Sequence, residues 1–249
     1  MSPNEKPNFT IRPFTTWDDY RQCLDLQTET WGEDFGELVP AAILKISQQV
    51  GGVAAGAFAG DDKMLGFVYG ISGIRDGKPA HWSHMLAIKT ELRDKGIGTQ
   101  LKKYQRYVLL ELGITTMYWT FDPLVARNAH FNLNVLGVLI EEYVPDMYGD
   151  HGCGTMDDVI GTDRFVVQWD LNKASKADAC SKLASTAAKL IKIPGDIHQL
   201  KTEDPDAAAA FRAKTRKTFM DLMGYGFKVV SFMKHTDGSG LYGLEPPTE

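Results

Sequence analysis

Two spaced glycines and two cationic side chains occupy one short segment, which reads Arg93-Asp94-Lys95-Gly96-Ile97-Gly98-Thr99. Glycine lets the backbone turn tightly and approach a ligand closely. Successive backbone N–H groups at the positive end of a helix attract anions, and phosphates in particular. Because a predicted strand precedes the segment and a predicted helix follows it, these residue types and their spacing predict a phosphate or pyrophosphate site.

Other nucleotide-binding motifs fit the segment less well. The phosphate loop of nucleotide hydrolases needs G-x-x-x-x-G-K followed by Ser or Thr, which this sequence lacks. A dinucleotide fingerprint needs G-x-G-x-x-G directly after the strand, but Leu101 replaces the third glycine and Lys89–Lys95 separates strand from loop. Asp122 lies at a tolerable distance along the chain for the ribose contact, so dinucleotide binding stays open as the weaker alternative.

Hydrophobic periodicity and turn residues predict the elements that would position this loop. The order is a strand, two helices, antiparallel strands, a helix, a strand, a helix and further strands, unlike the regular alternation of a doubly wound sheet. The predicted strands are Phe9–Phe14, Val53–Ala59, Leu65–Ser72, His81–Ile88, Ile114–Phe121, Val138–Val144 and Arg164–Leu171. The predicted helices run from a cap at Asp18 to about Thr30 and over Ala41–Val50, Thr99–Leu112 and Leu124–Leu136.

The composition changes after residue 171. Lys173–Lys192 is rich in Ala, Ser and Lys, and Ala207–Ala210 lie in a predicted helix that runs to about Met223. Val229–Phe232 and Leu241–Leu244 predict a short hairpin. We therefore expect a core domain over residues 1–171 and a helical and hairpin extension, residues 172–249, packed on it.

Charge and composition limit the partners and the compartment. The 249 residues carry a formal net charge of -5 without a basic run, whereas proteins of nucleic acids or anionic membranes usually carry the opposite bias. Cys23, Cys153 and Cys180 are odd in number and widely spaced, which indicates neither a zinc knuckle nor a disulfide framework. The polar start lacks a signal peptide and no apolar run could cross a bilayer, so a cytoplasmic setting is expected.

The run Leu86-Ala87-Ile88-Lys89-Thr90-Glu91-Leu92-Arg93-Asp94-Lys95-Gly96-Ile97-Gly98 resembles the acyl-CoA signature of the GNAT acetyltransferase superfamily. In that signature, R/Q-x-x-G-x-G/A follows the fourth strand, and the resemblance covers roughly Phe9 to Leu171. It implies an α/β (α+β) fold with a mixed, largely antiparallel sheet flanked by helices. It also implies acyl-CoA, with acetyl or succinyl left open, as the co-substrate and no metal.

Further residues are similar to a less-characterised branch of this superfamily. They are Asp122-Pro123-Leu124, Arg127-Asn128-Ala129, Tyr148-Gly149 and Thr162-Asp163-Arg164-Phe165. Members of that branch carry a C-terminal extension and include proteins associated with N-acylation of amino acids. The resemblance therefore implies transfer of a short acyl group to a small, amino-acid-like amine.

The resemblance also assigns roles to residues of the cofactor site. Leu86, Ala87 and Ile88 would pair by backbone with the pantetheine arm, and an N–H of that strand would polarise the thioester carbonyl. Residues Arg93 to Thr99 would hold the pyrophosphate, and Ile114–Phe121 would lie on the other side of the arm. The Asn of the last helix falls on Ala126 with Asn128 offset, and Asn128 is kept as a cofactor-binding candidate.

The sequence departs from the pattern at two positions. The glycine that commonly follows the Arg is Asp94, an anion near phosphates that could instead help to cap the helix. The Tyr that protonates the leaving thiolate in many relatives falls on Leu133. The catalytic candidates are therefore His84, which titrates near neutrality, and Tyr148, although a satisfied strand histidine and a packed phenol remain the alternatives.

Other polar residues have competing interpretations. Glu29, Glu33 and Asp34 border two aromatics in the loop that shapes the acceptor pocket in this superfamily, but exposed carboxylates are most often just solvated. Asp122 could be a base or an N-cap before Pro123, and Arg127 or Arg164 could bind an acceptor carboxylate or form salt bridges. His130 is expected at the surface, and Trp82 and Trp119 in the core.

The sequence thus predicts an acyl-CoA-dependent N-acyltransferase with a small-molecule amine as acceptor. Neither nucleic acid nor a membrane is an expected partner, and a homodimer stays open. The alternative is a non-catalytic acyl-CoA-binding or sensor module, which the replacement of the usual Tyr by Leu133 favours.

Overall fold

A computed structural model describes residues 7–33, 35–149, 160–173 and 188–247. The chain divides into two compact units, Met1–Tyr118 and Trp119–Glu249. Asp34, Cys153 and Cys180 lie outside the described residues. The expected domain boundary at residue 171 rests on the change in composition there and stays a prediction.

The described part of the first unit contains three α-helices. They are α1 (Trp17–Trp31), α2 (Ala41–Gln49) and α3 (Ile97–Glu111), and a 3-10 turn at Thr90–Leu92 precedes α3. A capping box begins α1, because the Thr16 hydroxyl accepts from the Asp19 N–H and the Asp19 carboxylate accepts from the Thr16 N–H. The N-cap is therefore Thr16. The sequence had predicted Asp18 in this role.

The sheet of the first unit follows the order β1-β2-β3-β4-β5. Its strands are β1 (Thr10–Pro13), β2 (Val53–Phe58), β3 (Met64–Arg75), β4 (Lys78–Ile88) and β5 (Thr116–Phe121), which continues past Tyr118 into the second unit. The first three pairings are antiparallel, and β4 and β5 are parallel. The β3–β4 hairpin is longer than predicted, because the turn at Asp76 and Gly77 takes positive φ values of 52° and 74° and closes it tightly.

Helices α2 and α3 cover opposite faces of this sheet. The Tyr69 hydroxyl lies 2.8 Å from the hydroxyl of Ser47 in α2. The next residue, Gly70, pairs with Ser83, whose hydroxyl donates to Gln105 of α3. Because successive residues of a strand point to opposite faces, the two contacts place the helices on different sides.

In the second unit β7 (Arg164–Asp170) lies between β5 and β6 (Leu139–Val144). Helix α4 (Ala126–Ala129) continues as a π-helical segment, His130–Leu136. The sequence predicted one helix from Leu124. It begins two residues later, because the Asp122 carboxylate accepts from the Leu124 N–H and holds a turn there.

A second, three-stranded sheet has the order β8-β10-β9. Its elements are β8 (Lys189–Ile193), α5 (Ile197–Glu203), α6 (Pro205–Gly224), β9 (Lys228–Lys234) and β10 (Gly240–Glu245). The predicted hairpin and the helix to about Met223 are confirmed, whereas β8 and α5 were not predicted. An aromatic core holds the unit together, with edge contacts of Phe165 to Phe219 and to Tyr242 at centroid distances of 4.9 and 5.6 Å.

Two arginines on α6 form ion pairs in this unit, in which Arg212 and Asp163 are the buried members. Arg212 Nη2 lies 2.5 Å from an Asp122 carboxylate oxygen. Arg216 Nη2 lies 2.6 Å from Asp163 and 2.7 Å from Asp146. Removing one partner of such a pair leaves an uncompensated buried charge, so these contacts fix the position of α6.

The predicted α+β class is confirmed, with a largely antiparallel sheet, flanking helices and a C-terminal helical and hairpin extension. Across the ranges that the structure describes, no helix combines the length and the apolar character needed to cross a bilayer.

Candidate functional site

The N-terminus of α3 exposes backbone donors to an anion. Gly96 precedes the helix with φ 84° and ψ 0°, and no side chain in the described ranges caps it. The first hydrogen bond along the helix runs from Gln100 N to Gly96 O at 3.1 Å. The N–H groups of Ile97, Gly98 and Thr99 therefore have no carbonyl of the helix to bond. This is the arrangement that binds phosphate at helix N-termini.

Asp94 takes the backbone conformation that the resemblance assigns to glycine. Its φ is 62°, in the left-handed region, which Asp tolerates better than most residues. The side chain is exposed and does not cap α3, which corrects the capping role considered from the sequence. Arg93 and Lys95 are half-buried on either side of it.

The edge of β4 that faces away from β3 is largely unpaired. Its parallel ladder with β5 consists of His81 opposite Met117 and Trp82 opposite Tyr118. Among the described residues, 83 and 85–88 have a ladder partner only in β3. Since alternate residues of such a strand direct both N–H and C=O away from the partner, this stretch offers an edge to an extended ligand chain. Leu86, Ala87 and Ile88, the predicted pantetheine contacts, lie on it.

His84 is the extra residue of a β-bulge. Tyr69 pairs with Met85 and Gly70 pairs with Ser83, so that His84 has no opposite residue in β3. Bulges change the direction of a side chain and are frequent beside active sites. The His84 ring is exposed, and its edge contact with the Tyr69 ring has a centroid distance of 6.1 Å.

The surroundings of His84 favour its neutral form. Desolvation lowers the pKa of the imidazole below its usual 6.5, although the carboxylate of Glu37 opposes this effect. Although the His84 side chain is exposed, neighbouring atoms remove part of its hydration. At pH 7 the group is therefore a proton acceptor. Glu37, in the α1–α2 loop, was not singled out in the sequence.

Aromatic side chains support that loop. The rings of Trp31 and Phe35 stack at a centroid distance of 5.4 Å, and Trp31 contacts Phe67 edge-on at 6.3 Å. The predicted loop acids Glu29 and Glu33 are exposed. Glu37 is half-buried, so it is the loop carboxylate whose charge reaches His84 most directly.

Tyr148 belongs to the second unit and forms hydrogen bonds through both its hydroxyl and its backbone N–H. Its hydroxyl lies 2.9 Å from the hydroxyl of Thr120 on β5, and its N–H donates to the Thr162 hydroxyl at 3.0 Å. The guanidinium carbon of Arg164 lies 5.3 Å from the ring centre, within the range of a cation–π contact. These contacts hold Tyr148 in place, with its hydroxyl directed at Thr120 on β5.

The remaining predicted residues have varied surroundings. Asn128 is half-buried on α4, while Leu133 is 3% exposed and belongs to the core. Trp119 is buried as predicted and donates to the Asn132 amide oxygen at 2.9 Å. His130 is exposed as predicted. The Asp122 carboxylate contacts Arg212 and accepts from the Leu124 N–H. These contacts account for Asp122 as a residue of the turn before α4, without a role as a base.

Comparison with known proteins gives matches among solved structures alone. No protein-family model and no curated protein matches the chain. A crystal structure of aminoglycoside 6'-acetyltransferase type Ii matches with a TM-score of 0.52 at 21% identity, over 66% of this chain and 99% of that one. A GNAT superfamily phosphinothricin acetyltransferase from Sinorhizobium meliloti, in complex with AcCoA, matches with 0.52 at 15% identity, over 65% and 88%.

A third similar structure is the NatC complex bound to Gag peptide and CoA. It matches with a TM-score of 0.51 at 11% identity, over 66% of this chain and 98% of the matched chain. At these identities the similarity establishes the fold. The chain therefore has the fold of the GNAT acetyltransferases, and the resemblance seen in the sequence is confirmed at the level of the fold.

Proposed function

We propose that the protein transfers a short acyl group from coenzyme A to the amine of a small, amino-acid-like acceptor. The observation that carries the proposal is the combination of two features in the first unit. The uncapped N-terminus of α3 at Gly96 follows a strand whose free edge contains the bulged residue His84. An anion site, a backbone edge and a neutral imidazole thus occur within sixteen consecutive residues, counting from His84 to Thr99.

The cofactor would be held mainly by backbone. The N–H groups of Ile97, Gly98 and Thr99 suit the pyrophosphate, and Arg93 and Lys95 add positive charge. The edge of β4 suits the amide-containing pantetheine arm, which can pair with it as an added strand. Asn128 is kept as a candidate contact of the same cofactor. Acetyl- and succinyl-CoA are the acyl donors to test first.

The reaction joins the acceptor nitrogen to the thioester carbonyl carbon and breaks the carbon–sulfur bond. A backbone N–H at the bulge would stabilise the negative charge that develops on the carbonyl oxygen. His84 would take the proton that the attacking amine loses, since its lowered pKa keeps it neutral at pH 7. The thiolate would then receive a proton, so that free coenzyme A leaves as the thiol.

Tyr148 is our candidate for the group that protonates the thiolate. Leu133 has no ionisable group, and it is buried in the core. The Tyr148 hydroxyl instead lies 2.9 Å from Thr120 on β5. A thiol is a fairly good leaving group, so this acid would contribute less than the base.

The negative charge near His84 is the basis for proposing an amine as the acceptor. Glu37 is half-buried and interacts with His84, and the exposed Glu29 and Glu33 add negative charge to the same loop region. Such surroundings attract an ammonium group. The net charge of -5 also supports a small amine rather than a nucleic acid. A cytoplasmic location and a homodimer stay predictions.

The second candidate function is a non-catalytic acyl-CoA-binding or sensor module. The apolar residue at Leu133, where many relatives carry the Tyr acid, favours it. A sensor would use the same cofactor site as the transferase, and the two functions differ in whether the bound acyl-CoA is turned over. An enzyme releases thiol when an amine is present, and a sensor binds acyl-CoA without doing so.

The test has two steps with purified protein. Thermal unfolding is measured with CoA, acetyl-CoA, succinyl-CoA and NAD, since a ligand that binds only the folded state raises its stability. Thiol release is then followed with panels of amino acids and other small amines. Stabilisation by acyl-CoA with amine-dependent thiol release supports the transferase. Stabilisation without release supports the sensor, and stabilisation by NAD alone overturns both.

A further inference from the structure

A row of buried polar side chains connects β4 with α3. Its members are His81 and Ser83 on β4 and Lys102 and Gln105 on α3, each at most 5% exposed. Lys102 Nζ donates to Ser83 Oγ at 2.8 Å, and Ser83 Oγ donates to Gln105 Oε1 at 2.9 Å. Gln105 Nε2 lies 2.9 Å from His81 Nε2. We call these four residues the β4–α3 network.

The direction of every hydrogen bond in the network follows from one backbone carbonyl. The Ser72 hydroxyl donates to Gly51 O at 2.6 Å, so it must accept from His81 Nδ1, which lies 2.9 Å away. With its proton on Nδ1, the neutral imidazole accepts at Nε2 from the Gln105 amide nitrogen. The Gln105 oxygen then faces Ser83, and the Ser83 oxygen is left to accept from Lys102.

The protonation states of the ionisable members agree with this direction. Desolvation and the nearby Lys102 lower the pKa of His81 to about 3, so the imidazole is neutral at pH 7. Desolvation also lowers the pKa of Lys102 to about 7. The amine can donate to Ser83 with or without its extra proton, so the chain of bonds persists on both sides of neutrality.

The network ends at the bulge. Ser83 is the last residue before His84, and it pairs with Gly70. A side chain at Gly70 would collide with His81 Nε2 and with the backbone of Trp82 and Ser83, so the glycine makes room for the network.

The bulge also changes which residues of β4 face α3. His81 and Ser83 face α3, whereas His84 contacts Tyr69 on the opposite face. A shift of the bulge by one residue would move strand residues to the wrong face. It would also leave the buried amine of Lys102 and the amide of Gln105 without their partners on β4, which is unfavourable for buried polar groups.

We propose that the β4–α3 network fixes the location of the bulge and thereby positions His84 for acyl transfer. Ser83, Lys102 and Gln105 are then positioning residues, because they act through the strand and not on the substrate. The same network joins the strand to the helix whose N-terminus suits the pyrophosphate. This inference rests on the proposed function for its kinetic consequences.

The kinetic test removes the Lys102–Ser83 contact from each side. In Lys102→Met and in Ser83→Ala, kcat falls by about tenfold, since small displacements of a reacting group are costly. The dissociation constant for acyl-CoA stays within about twofold, because the helix N-terminus is retained. The double variant loses about tenfold and not a hundredfold, because both changes remove one interaction. Ser83→Thr, which keeps the hydroxyl, restores most of kcat.

Leu109→Ala is the matched control. Leu109 is fully buried on the same helix but lies outside the network, so this variant loses stability through a cavity. If its kcat falls as far as that of Lys102→Met at a temperature where both are folded, or if the two network variants are additive, the positioning role is overturned.

A measurement without turnover separates this inference from the proposed function. The ring and backbone NMR signals of His84 are compared between the wild-type protein, Lys102→Met and Leu109→Ala, and the pH titration of the ring is followed. We expect the signals and the titration midpoint to shift in Lys102→Met alone. Unchanged His84 signals overturn the inference. Shifted signals in a protein that never releases thiol support it and reject the transferase.

Discussion

Gln27 and Val39 pair with each other through both polar ends of the Gln27 side chain. The Gln27 amide nitrogen donates to Val39 O at 3.3 Å, and its oxygen accepts from Val39 N at 2.8 Å. Gln27 is fully buried on α1, and Val39 lies two residues after Glu37. This side chain therefore closes the α1–α2 loop and fixes the backbone close to the carboxylate that acts on His84.

Replacement of Gln27 should release this loop. In Gln27→Met the backbone N–H and C=O of Val39 lose a buried partner, which should cost about 1–3 kcal/mol of unfolding free energy. We also expect a higher KM for the amine acceptor with little change in acyl-CoA affinity. Urea unfolding and steady-state kinetics measure both. Asp25→Asn, exposed on the same helix, is the control, and an unchanged acceptor KM in Gln27→Met would separate the loop from the acceptor.

Gly96 has a backbone conformation in the anion site that disfavours any residue with a side chain. Its φ of 84° is left-handed, while an added Cβ would meet nothing within 4 Å. Gly96→Ala should therefore cost only about 1–2 kcal/mol of stability, yet weaken CoA binding strongly, because the new methyl and a relaxed backbone disturb the N–H groups that meet phosphate.

The measurement is the thermal shift produced by CoA in the variant and in the wild-type protein. Gly73→Ala is the control, since an added Cβ there also meets nothing and the backbone is not left-handed. Gly98→Val should likewise abolish CoA binding in a folded protein. Retained affinity in Gly96→Ala and in Gly98→Val would place the cofactor elsewhere on the chain.

The pH dependence of turnover should report His84. If the neutral imidazole accepts a proton from the amine, kcat/KM falls as pH drops through the His84 pKa, which desolvation holds below 6.5. The Glu37 carboxylate raises that pKa. Glu37→Gln should therefore move the acidic limb to lower pH.

His84→Gln removes the base while keeping a polar side chain. It should lower turnover on the order of 100-fold, with acyl-CoA affinity nearly unchanged. Rates are followed by thiol release from pH 5 to pH 9 with one responsive amine. An acidic limb that stays in place in His84→Gln would assign the titration to another group.

Tyr148→Phe tests the proposed acid. The substitution removes the hydroxyl that contacts Thr120 and keeps the ring under Arg164, so folding should be little affected. We expect turnover to fall by on the order of tenfold or more, with acyl-CoA affinity nearly unchanged. Thr120→Val is the control, because it removes the same hydrogen bond and leaves the phenol. Equal loss in both variants would assign the effect to the contact and not to the acid.

The parts of the site that are local in sequence could be predicted from the sequence. The glycine loop and the start of α3 depend on residues within one short segment, and hydrophobic periodicity with turn residues indicated β1 to β7. Strand β8 was missed, because the segment around it is rich in Ala, Ser and Lys and gives little contrast between faces. Helix α5, which begins after a cap at Asp196, is only seven residues long.

Long-range features of the site could not be read in the same way. The bulge at His84 is a property of the pairing between β3 and β4, and alternation alone cannot locate it. A weak signal existed for the β4–α3 network, since Lys102 and Gln105 are spaced to lie on the same side of α3 as the buried Leu101 and Leu109. Their partners on β4 depend on how the helix packs, which the sequence does not encode locally.

The buried amine of Lys102 makes a prediction about stability that needs no substrate. Its pKa is lowered from 10.5 to about 7 by burial in the folded protein, so between these values the unfolded chain binds more protons than the folded one. The unfolding free energy should therefore rise with pH across this window, at up to about 1.4 kcal/mol per pH unit from this group. Below pH 7 both states bind the proton and the contribution is constant.

Lys102→Met removes the titration, so the difference in unfolding free energy between wild type and variant should grow from pH 7 to pH 10 in favour of the wild type. Chemical denaturation at a series of pH values measures it, with the exposed Lys103→Met as the control. Parallel pH profiles of the wild-type protein and Lys102→Met would mean that the amine keeps its ordinary pKa and is reached by water.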